Sequence, residues 1–314
     1  MYQIFRTDNG KLQEQSEITD GVWINMVSPN LWESREIADH FQIDIADLRA
    51  SLDEEESARV VLEDGYTLIL IDIPIEEEGK HGKSYTTIPL GILIVPQGLI
   101  TVCNDENMVL SWFKTHYVKE FSTKKRMRFV YQILYRTAYV YQVFLHVIDK
   151  KRKEIEDSAT TKEMEDSDLL NLHELESTLV YFATSLGANK VVLDRLTRYK
   201  RLEQYPEDRE ILDDTIIENS QAMEMTNIYQ NIIHGTRDLL TTIINNRLNN
   251  VMKFLTSITL VMAIPTIISG LYGMNVNGVG MPLAQEINGF GMICVLTTVV
   301  CVIALIILKR RKML

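Results

Sequence analysis

Two kinds of hydrophobic pattern divide this chain. Over residues 1–115 the apolar positions come as short runs rich in Val, Ile, Leu and aromatics. They predict strands at Tyr2–Phe5, Val22–Met26, Arg59–Glu63, Tyr66–Ile73, Thr86–Val95 and Leu99–Val102. Asp64-Gly65 and Pro96-Gln97-Gly98 are turn signals that join successive strands into hairpins. Ser28-Pro29 reads as a helix start, with Ser as N-cap and Pro at the first helical position. From about Asp105 to Leu202 the period becomes helical: Phe129, Ile133, Val140 and Phe144 recur at steps of four, seven and four, with Gly187 the only Gly or Pro. Lys150 to Asp168 reads as a charged helix-to-helix turn holding Glu154, Glu156, Asp157, Glu163, Glu165, Asp166 and Asp168. It is either a solvated tip or a diffuse cation-attracting surface.

A third helix begins after Pro206 and meets no strong stop until Gly270, so it is about 60 residues or roughly 90 Å long. Gly235 inside it costs only ~1 kcal/mol, and Pro265 is expected to loosen or kink it. Phe254–Tyr272 and Gly289–Leu308 are uncharged runs of 19 and 20 residues. About 20 helical residues cross a hydrocarbon core of ~30 Å, so both read as transmembrane helices rather than a pair of buried core helices.

Stepping by sevens along the long helix gives Asp238, Asn245, Met252, Thr259, Thr266 and Gly273; Asn249, Thr256, Ala263 and Gly270 interleave. A coiled-coil seam with this repeat is normally apolar. Here it is polar or small almost throughout, while Leu260, Val261, Ile264, Ile267, Ile268 and Leu271 lie off it. Such a stripe either lines a water-filled path or lets helices pack closely. One span cannot enclose a path, but a ring of several could. Met252 and Leu255 would then form an apolar constriction at the inner end, of the kind that gates by dewetting.

Charge sharpens the division. Mean hydropathy is near zero, yet between Phe254 and Leu308 the only Asp, Glu, Lys or Arg is Glu286. Lys309, Arg310, Arg311 and Lys312 follow, so the part after Lys253 carries +3 and residues 1–253 carry −14 of the net −11. An acidic soluble body on an apolar tail argues against a secreted disulfide scaffold, an ordinary soluble enzyme and a nucleic-acid binder. The start, MYQIFRTDNGKL, lacks the basic and apolar regions of a signal peptide. Lys253 and the 309–312 cluster place both span ends on the cytoplasmic side. The expected organisation is a cytoplasmic α/β domain (1–115), an antiparallel helical region with an acidic tip (116–205) and the cytoplasmic part of the long helix (206–253). The first span (254–272), an external loop (273–288), the second span (289–308) and a basic cytoplasmic tail (309–314) complete it. Cys103, Cys294 and Cys301 read as small hydrophobes in a reducing compartment.

The first span ends in Tyr272-Gly273-Met274-Asn275. A Gly-Met-Asn string at the outer end of the first of two C-terminal spans, behind a long acidic cytoplasmic domain, resembles the CorA family of divalent-cation channels. Trp23-Ile24-Asn25, Ile264-Pro265-Thr266 through Tyr272 and the basic C-terminus look like that family too, so the resemblance covers the whole chain. It implies an α+β membrane protein: a funnel-shaped homopentamer in the cell (inner) membrane, with a helical stalk and a pore formed by the first span. Gly273, Met274 and Asn275 would form the external mouth, with Asn275 as a ring that binds hydrated Mg²⁺. Mg²⁺ dehydrates reluctantly, so neutral amides can hold it through its waters. Asn275 as a C-cap of the span is compatible with the same geometry. Thr266 resembles a second pore ring, with Ala263, Thr259 and Thr256 on the same stripe. Asn249, Met252 and Leu255 resemble the inner neck, and Asn245 and Asp238 continue it. Where family loops often carry Met-Pro-Glu-Leu, this chain has Met281-Pro282-Leu283-Ala284, with Glu286 the only acid in the loop.

The resemblance also implies acidic sites between protomers that bind cytoplasmic Mg²⁺ and hold the funnel closed. Asp214 sits where the family places one such acid. Its usual partner, in a Leu-Glu-Asp string, is here Leu48-Arg49-Ala50. Asp47 and Asp53 are nearby substitutes, and Glu76, Glu77 and Glu78 are further ones. Asp213 and Glu218 beside Asp214 are equally compatible with a solvated helix face. No phosphate loop, G-x-S-x-G elbow or H-E-x-x-H occurs, and the six histidines are scattered. A non-enzyme without an organic cofactor is therefore expected. The rivals are a zinc or other transition-metal transporter of the same superfamily and a non-conducting membrane-anchored scaffold.

Overall fold

The computed structural model describes residues 1–8, 10–79, 82–116, 118–161, 166–199, 205–275, 280–283 and 286–311. The chain divides into two units, Met1–Arg237 and Asp238–Leu314.

In the first unit seven strands form one sheet: β1 (Tyr2–Asp8), β2 (Lys11–Gln15), β3 (Val22–Val27), β4 (Arg59–Leu62), β5 (Thr67–Gly79), β6 (Gly82–Val95) and β7 (Gly98–Cys103), in the order β2-β1-β3-β7-β6-β5-β4. Only β3 and β7 pair in parallel; the other neighbours are antiparallel. The two turn signals do join β4 to β5 and β6 to β7. β2 was not foreseen, because Lys-Leu-Gln-Glu-Gln has no apolar run; it is an edge strand, where charge is the normal device against further pairing.

Both faces of the sheet are covered, which is why β7 is buried at every position. On one face Val22, Ile24, Met26, Leu68, Leu70, Ile100 and Val102 meet Ile37, Ala38 and Phe41 of α1 (Leu31–Phe41) and Leu48 of α2 (Ile45–Arg49). Period-two alternation sends Trp23 to the other face, where its ring stands edge-on to Phe129 at 5.1 Å. The Trp23 indole donates to Thr101 Oγ1 (2.9 Å), whose hydroxyl donates to Asn25 Oδ1 (2.9 Å). Trp23-Ile24-Asn25 is thus a core motif rather than a surface one.

Ser28-Pro29 does not open α1. Asn30 is the N-cap: its side chain accepts from Glu33 N and the Glu33 carboxylate accepts from Asn30 N, a complete capping box. Ser28 lies outside the helix at φ 42°. Asn takes the cap because Glu stands three residues on, a pairing that Ser28 lacks.

Three long helices follow the short α3 (Met108–Thr115): α4 (Arg126–Thr161), α5 (Asp166–Arg198) and α6 (Pro206–Tyr272). Glu163 and Glu165 of the expected acidic tip lie outside the described residues. α5 repairs a gap in the sheet. β4 stops at Arg59, opposite Leu70, so β5 beyond Leu70 has an open edge. There the Asn189 side chain donates to Asp72 O (2.7 Å) and accepts from Asp72 N (2.9 Å), imitating a missing strand. The Tyr141 hydroxyl also donates to Asp72 O at 3.1 Å. Pro74 falls on this open stretch, where its missing N–H costs no ladder bond to β4.

α6 is tied to the other helices at two places. Near its start the buried Arg128 of α4 bonds Asp208 (2.6 Å), Glu207 (3.0 Å) and Glu120 (2.7 Å). Near the end of the unit Arg152 Nη1 reaches Thr236 Oγ1 (3.3 Å), while Glu176 of α5 pairs with His234 (3.2 Å) and Arg237 (3.3 Å).

The second unit holds the rest of α6, continuous through Pro265, and α7 (Gly289–Arg310). Both helices are long and apolar enough to cross a membrane.

One buried acid gives a pH prediction. Burial pushes the Asp72 carboxyl up to about 6, against a smaller opposing pull from a hydrogen bond with Ser185. Below the unfolded value of 3.8 both states keep the proton and nothing is lost. As pH rises from there to about 6, the unfolded chain ionises first and stability falls, by at most about 3 kcal/mol for a shift of roughly two units. Asp72→Asn is expected to raise the melting temperature of the detergent-solubilised chain at pH 7.5 and to leave it nearly unchanged near pH 4. An equal gain at both pH values would show that ionisation is not the cause.

Candidate functional site

α6 and α7 meet along one stripe of each. On α6 the shielded positions run Ser257, Val261, Ile264, Ile268 and Tyr272; on α7 they run Gly289, Ile293, Thr297, Cys301, Ala304 and Leu308. Cys301 Sγ lies 4.0 Å from Val261 O, and toward the loop the helices diverge around a cleft of about 1020 Å³ lined by Pro265, Ser269, Phe290 and Cys294 among others. Residues three and four apart share a helix face, so each set forms one continuous seam.

The polar stripe lies elsewhere on α6. At 3.6 residues per turn, Thr256, Thr259, Ala263, Thr266 and Gly270 point about half a turn away from the seam facing α7. All are exposed except Ala263, which is half-buried. Packing against α7 within the chain is therefore not what the small and polar residues serve. Met252 and Leu255 share that side and are 57% and 63% exposed. Asn245, Asn249 and Asp238 continue it as exposed residues.

The hydroxyls on this face are arranged for a particular chemistry. Thr259 Oγ1 donates to Leu255 O (2.9 Å) and Thr266 Oγ1 to Met262 O (3.0 Å). These two hydroxyls spend their protons on their own helix, which leaves oxygen lone pairs as their outward-facing function. A row of such acceptors suits water or a hydrated cation and repels an anion. The thiols of Cys294 and Cys301 lie by the cleft with α7, on the opposite side of α6 from the stripe.

The helix ends at the Gly-Met-Asn string. Gly273 N donates to Ser269 O (2.9 Å) and Met274 N to Leu271 O (3.5 Å), so backbone groups take the final carbonyls. The C-cap role open to Asn275 is not needed for those bonds, and Asn275 is exposed just beyond them. A Cβ at Gly273 would stand 3.2 Å from Ser269 O, a tight fit. Two features of this end went unnoticed in the sequence. Tyr272 Oη donates to Pro282 O (2.6 Å), tying the loop back to the helix. Leu283 O comes so close to Gly289 that a Cβ would lie 2.0 Å away, which makes glycine obligatory. A Gly directly before a 19-residue apolar run was the available signal for the second. Glu286 is exposed at the rim of the cleft.

The expected sensor acids do not come together within one chain. Asp214 is exposed on α6 and lines a shallow cavity with Lys119, Lys125, Arg128 and Glu210. The nearby Tyr135 phenol is pushed up, first by burial and then by the Glu218 and Asp214 carboxylates. Asp47 accepts the Tyr66 hydroxyl at 2.7 Å, and Tyr66 is pushed up to about 12 by burial and by that bond. Asp53 Oδ1 accepts from Glu55 N (3.1 Å) in a local turn. Glu76 pairs with Lys83 across the β5–β6 hairpin, and Glu77 and Glu78 are exposed on the same strand. Arg49 is held inside its own domain by Pro29 O (3.2 Å) and Ser34 Oγ (3.0 Å). Among the described residues no three His, Cys, Asp or Glu side chains converge as a metal site would need.

Comparison with known proteins gives the same answer from three directions. The family model described as CorA-like Mg²⁺ transporter protein matches residues 19–310. The cobalt/magnesium transport protein CorA of Methanocaldococcus jannaschii is 31% identical over 298 residues, 92% of this chain and 90% of that protein. Its namesake from Thermotoga maritima is 26% identical over 204 residues, 63% of this chain and 56% of that protein. The complete structure of the CorA magnesium transporter from Methanocaldococcus jannaschii superposes with a TM-score of 0.81 at 28% identity, covering 99% of this chain and 98% of that one. A family match across nearly the whole length, with the sheet, the long helices and the apolar C-terminal pair all in place, leads to one conclusion: the chain belongs to the CorA family of Mg²⁺ transporter proteins.

Proposed function

We propose that the chain moves hydrated Mg²⁺, and Co²⁺ with it, through a pore formed by the polar face of α6 in a ring of five copies. The observation that carries this reading is the exposed row of acceptor oxygens on α6, half a turn from α7 and ending beside Asn275. Oxygen acceptors and amides suit a hard ion that keeps its water. Zn²⁺ and related softer ions favour imidazole or thiolate, which the stripe does not offer. Both spans cross the cell membrane, with both termini cytoplasmic. The membrane potential drives inward flux, worth about 4.6 kcal/mol per 100 mV for a divalent ion.

Regulation follows from charge. Five bodies of −14 each repel, and divalent cations at acids shared between copies relieve that. Asp214 is the proposed centre of such a site. Exposed carboxylate is the donor type that Mg²⁺ takes, and a site between copies needs fewer acids from each chain. Met252 and Leu255 then close the neck when the body is held symmetric. A non-conducting scaffold would have no use for a lipid-depth row of hydroxyls.

Three experiments test this. Purified protein in proteoliposomes is expected to pass Mg²⁺ and Co²⁺ under an inside-negative potential, with Asn275→Ala lowering the flux at least about ten-fold, as loss of a charge-assisted hydrogen bond per ring member requires. Absence of flux in the wild type would end the channel reading. Leu255→Ser is expected to raise flux at high internal Mg²⁺, because a wettable neck no longer dewets; unchanged closed-state leak would remove Leu255 from the gate. Mg²⁺ is expected to slow proteolysis of the wild-type body, and Asp214→Asn to lose most of that protection. Equal protection in both would place the sensor elsewhere.

A further inference from the structure

The outward side of α4 carries a cluster that the pore does not use. Two well-buried arginines of this unit are each surrounded by carboxylates: Arg128 by Asp208, Glu207 and Glu120, and Arg152 by Asp149 and Glu156. Arg136 is different. Its guanidinium lies 3.9 Å from the ring centre of Trp112 and 4.7 Å from that of Tyr139. Trp112 in turn stacks on His116, with 3.7 Å between centres and 9° between planes. The hydrogen-bonding neighbour of Arg136 is the Tyr139 side chain. No carboxylate pairs with Arg136 among the described residues, and its buried Nε has no hydrogen-bond partner. One turn earlier, Gln132 Oε1 is also buried without a partner. Burial holds the Arg136 guanidinium below its ordinary pKa, the direction expected for a charge that has lost water without gaining a counter-ion.

We propose that this face of α4 is a contact between copies of the chain, in which a carboxylate of a second copy closes on the edge of the Arg136 guanidinium. The guanidinium lies against two aromatic rings, and its planar fork matches a carboxylate through two parallel N–H···O bonds. Arg, Trp and Tyr are the residue types that dominate interface energetics, and Tyr135 and Tyr139, 38% and 44% exposed, frame the position. Charge complementarity points to the same occupant: the chain has 43 Asp and Glu and its first 253 residues carry −14, so a second copy is a ready source of carboxylate. The proposal rests on the oligomeric reading above and adds to it a named contact.

The test uses the full-length chain in detergent. Native mass spectrometry across a dilution series is expected to show Arg136→Gln dissociating at a concentration at least about ten-fold higher than the wild type, with Arg136→Lys in between, since an ammonium keeps the charge but not the fork. Circular dichroism of each variant confirms that the helices are intact. In a second arm, Arg136→Lys is prepared as light and isotope-labelled copies, mixed, and treated with a zero-length carbodiimide that joins amines to carboxylates. The expected product is a peptide containing position 136 bonded to an acidic peptide of the other label. Unchanged dissociation, a link only within one label, or no link overturns the proposal while leaving the oligomer intact. Inorganic phosphate that raises the melting temperature of the wild type but not of Arg136→Gln would overturn it in favour of a small-anion site. A wild type that is monomeric throughout would instead overturn the oligomeric reading itself.

Discussion

A helix has one circumference, and the membrane half of α6 has to divide it between two incompatible environments. In hydrocarbon every polar group needs a partner or water. α6 meets this by giving Ser257, Val261, Ile264 and Ile268 to α7 and keeping its threonines on the far side, with the protons of Thr259 and Thr266 returned to the backbone. The rest of the tail follows. α7 need supply only one narrow seam of small or modest residues such as Gly289, Cys301 and Ala304, and is free to be apolar elsewhere. Thr256, Thr259 and Thr266 are left exposed on the side of α6 away from α7.

The soluble unit handles polar groups by the opposite rule: burial with full pairing. Arg128 is inside because Asp208, Glu207 and Glu120 surround it, and the strongest of these bonds, to Asp208, is itself buried. Removing one partner of such a pair strands the other in low dielectric, which costs far more than the pair contributes. The start of α6 is thereby fixed to α4 by desolvation as well as by attraction. The Trp23–Thr101–Asn25 chain does the same across three strand positions in the sheet.

How much of this was legible depended on whether a local pattern had one meaning. The apolar runs had, because β7 and the core of β5 and β6 are covered on both faces, so continuous Ile, Leu and Val could be read as strand without knowing the partners. The end of α6 at Tyr272 and the start of α7 at Gly289 had as well, and a 3.5-residue repeat places the members of the polar stripe by arithmetic. Helix starts and site partners were less legible. Asn30 outcompetes Ser28 only because Glu33 completes the box. Asp47 looked like a free acid until Tyr66, 19 residues on, was seen to occupy it. The loop staple from Tyr272 to Pro282 depends on a return of the chain that no spacing rule gives. Residues that act through one neighbour in sequence were visible; those that act through a distant one were not.

The amide of Asn189 that finishes the open edge of β5 also sets an order on biosynthesis. When Asp72 is first made, its backbone faces outward as an unpaired strand edge, a template for joining any other extended chain. The group that closes it lies 117 residues later. Until α5 is made this stretch of edge stays open, and α5 precedes the apolar tail in the chain. A truncated product that stops short of α5 therefore leaves this stretch of β5 uncovered, whereas one that stops just before Phe254 does not.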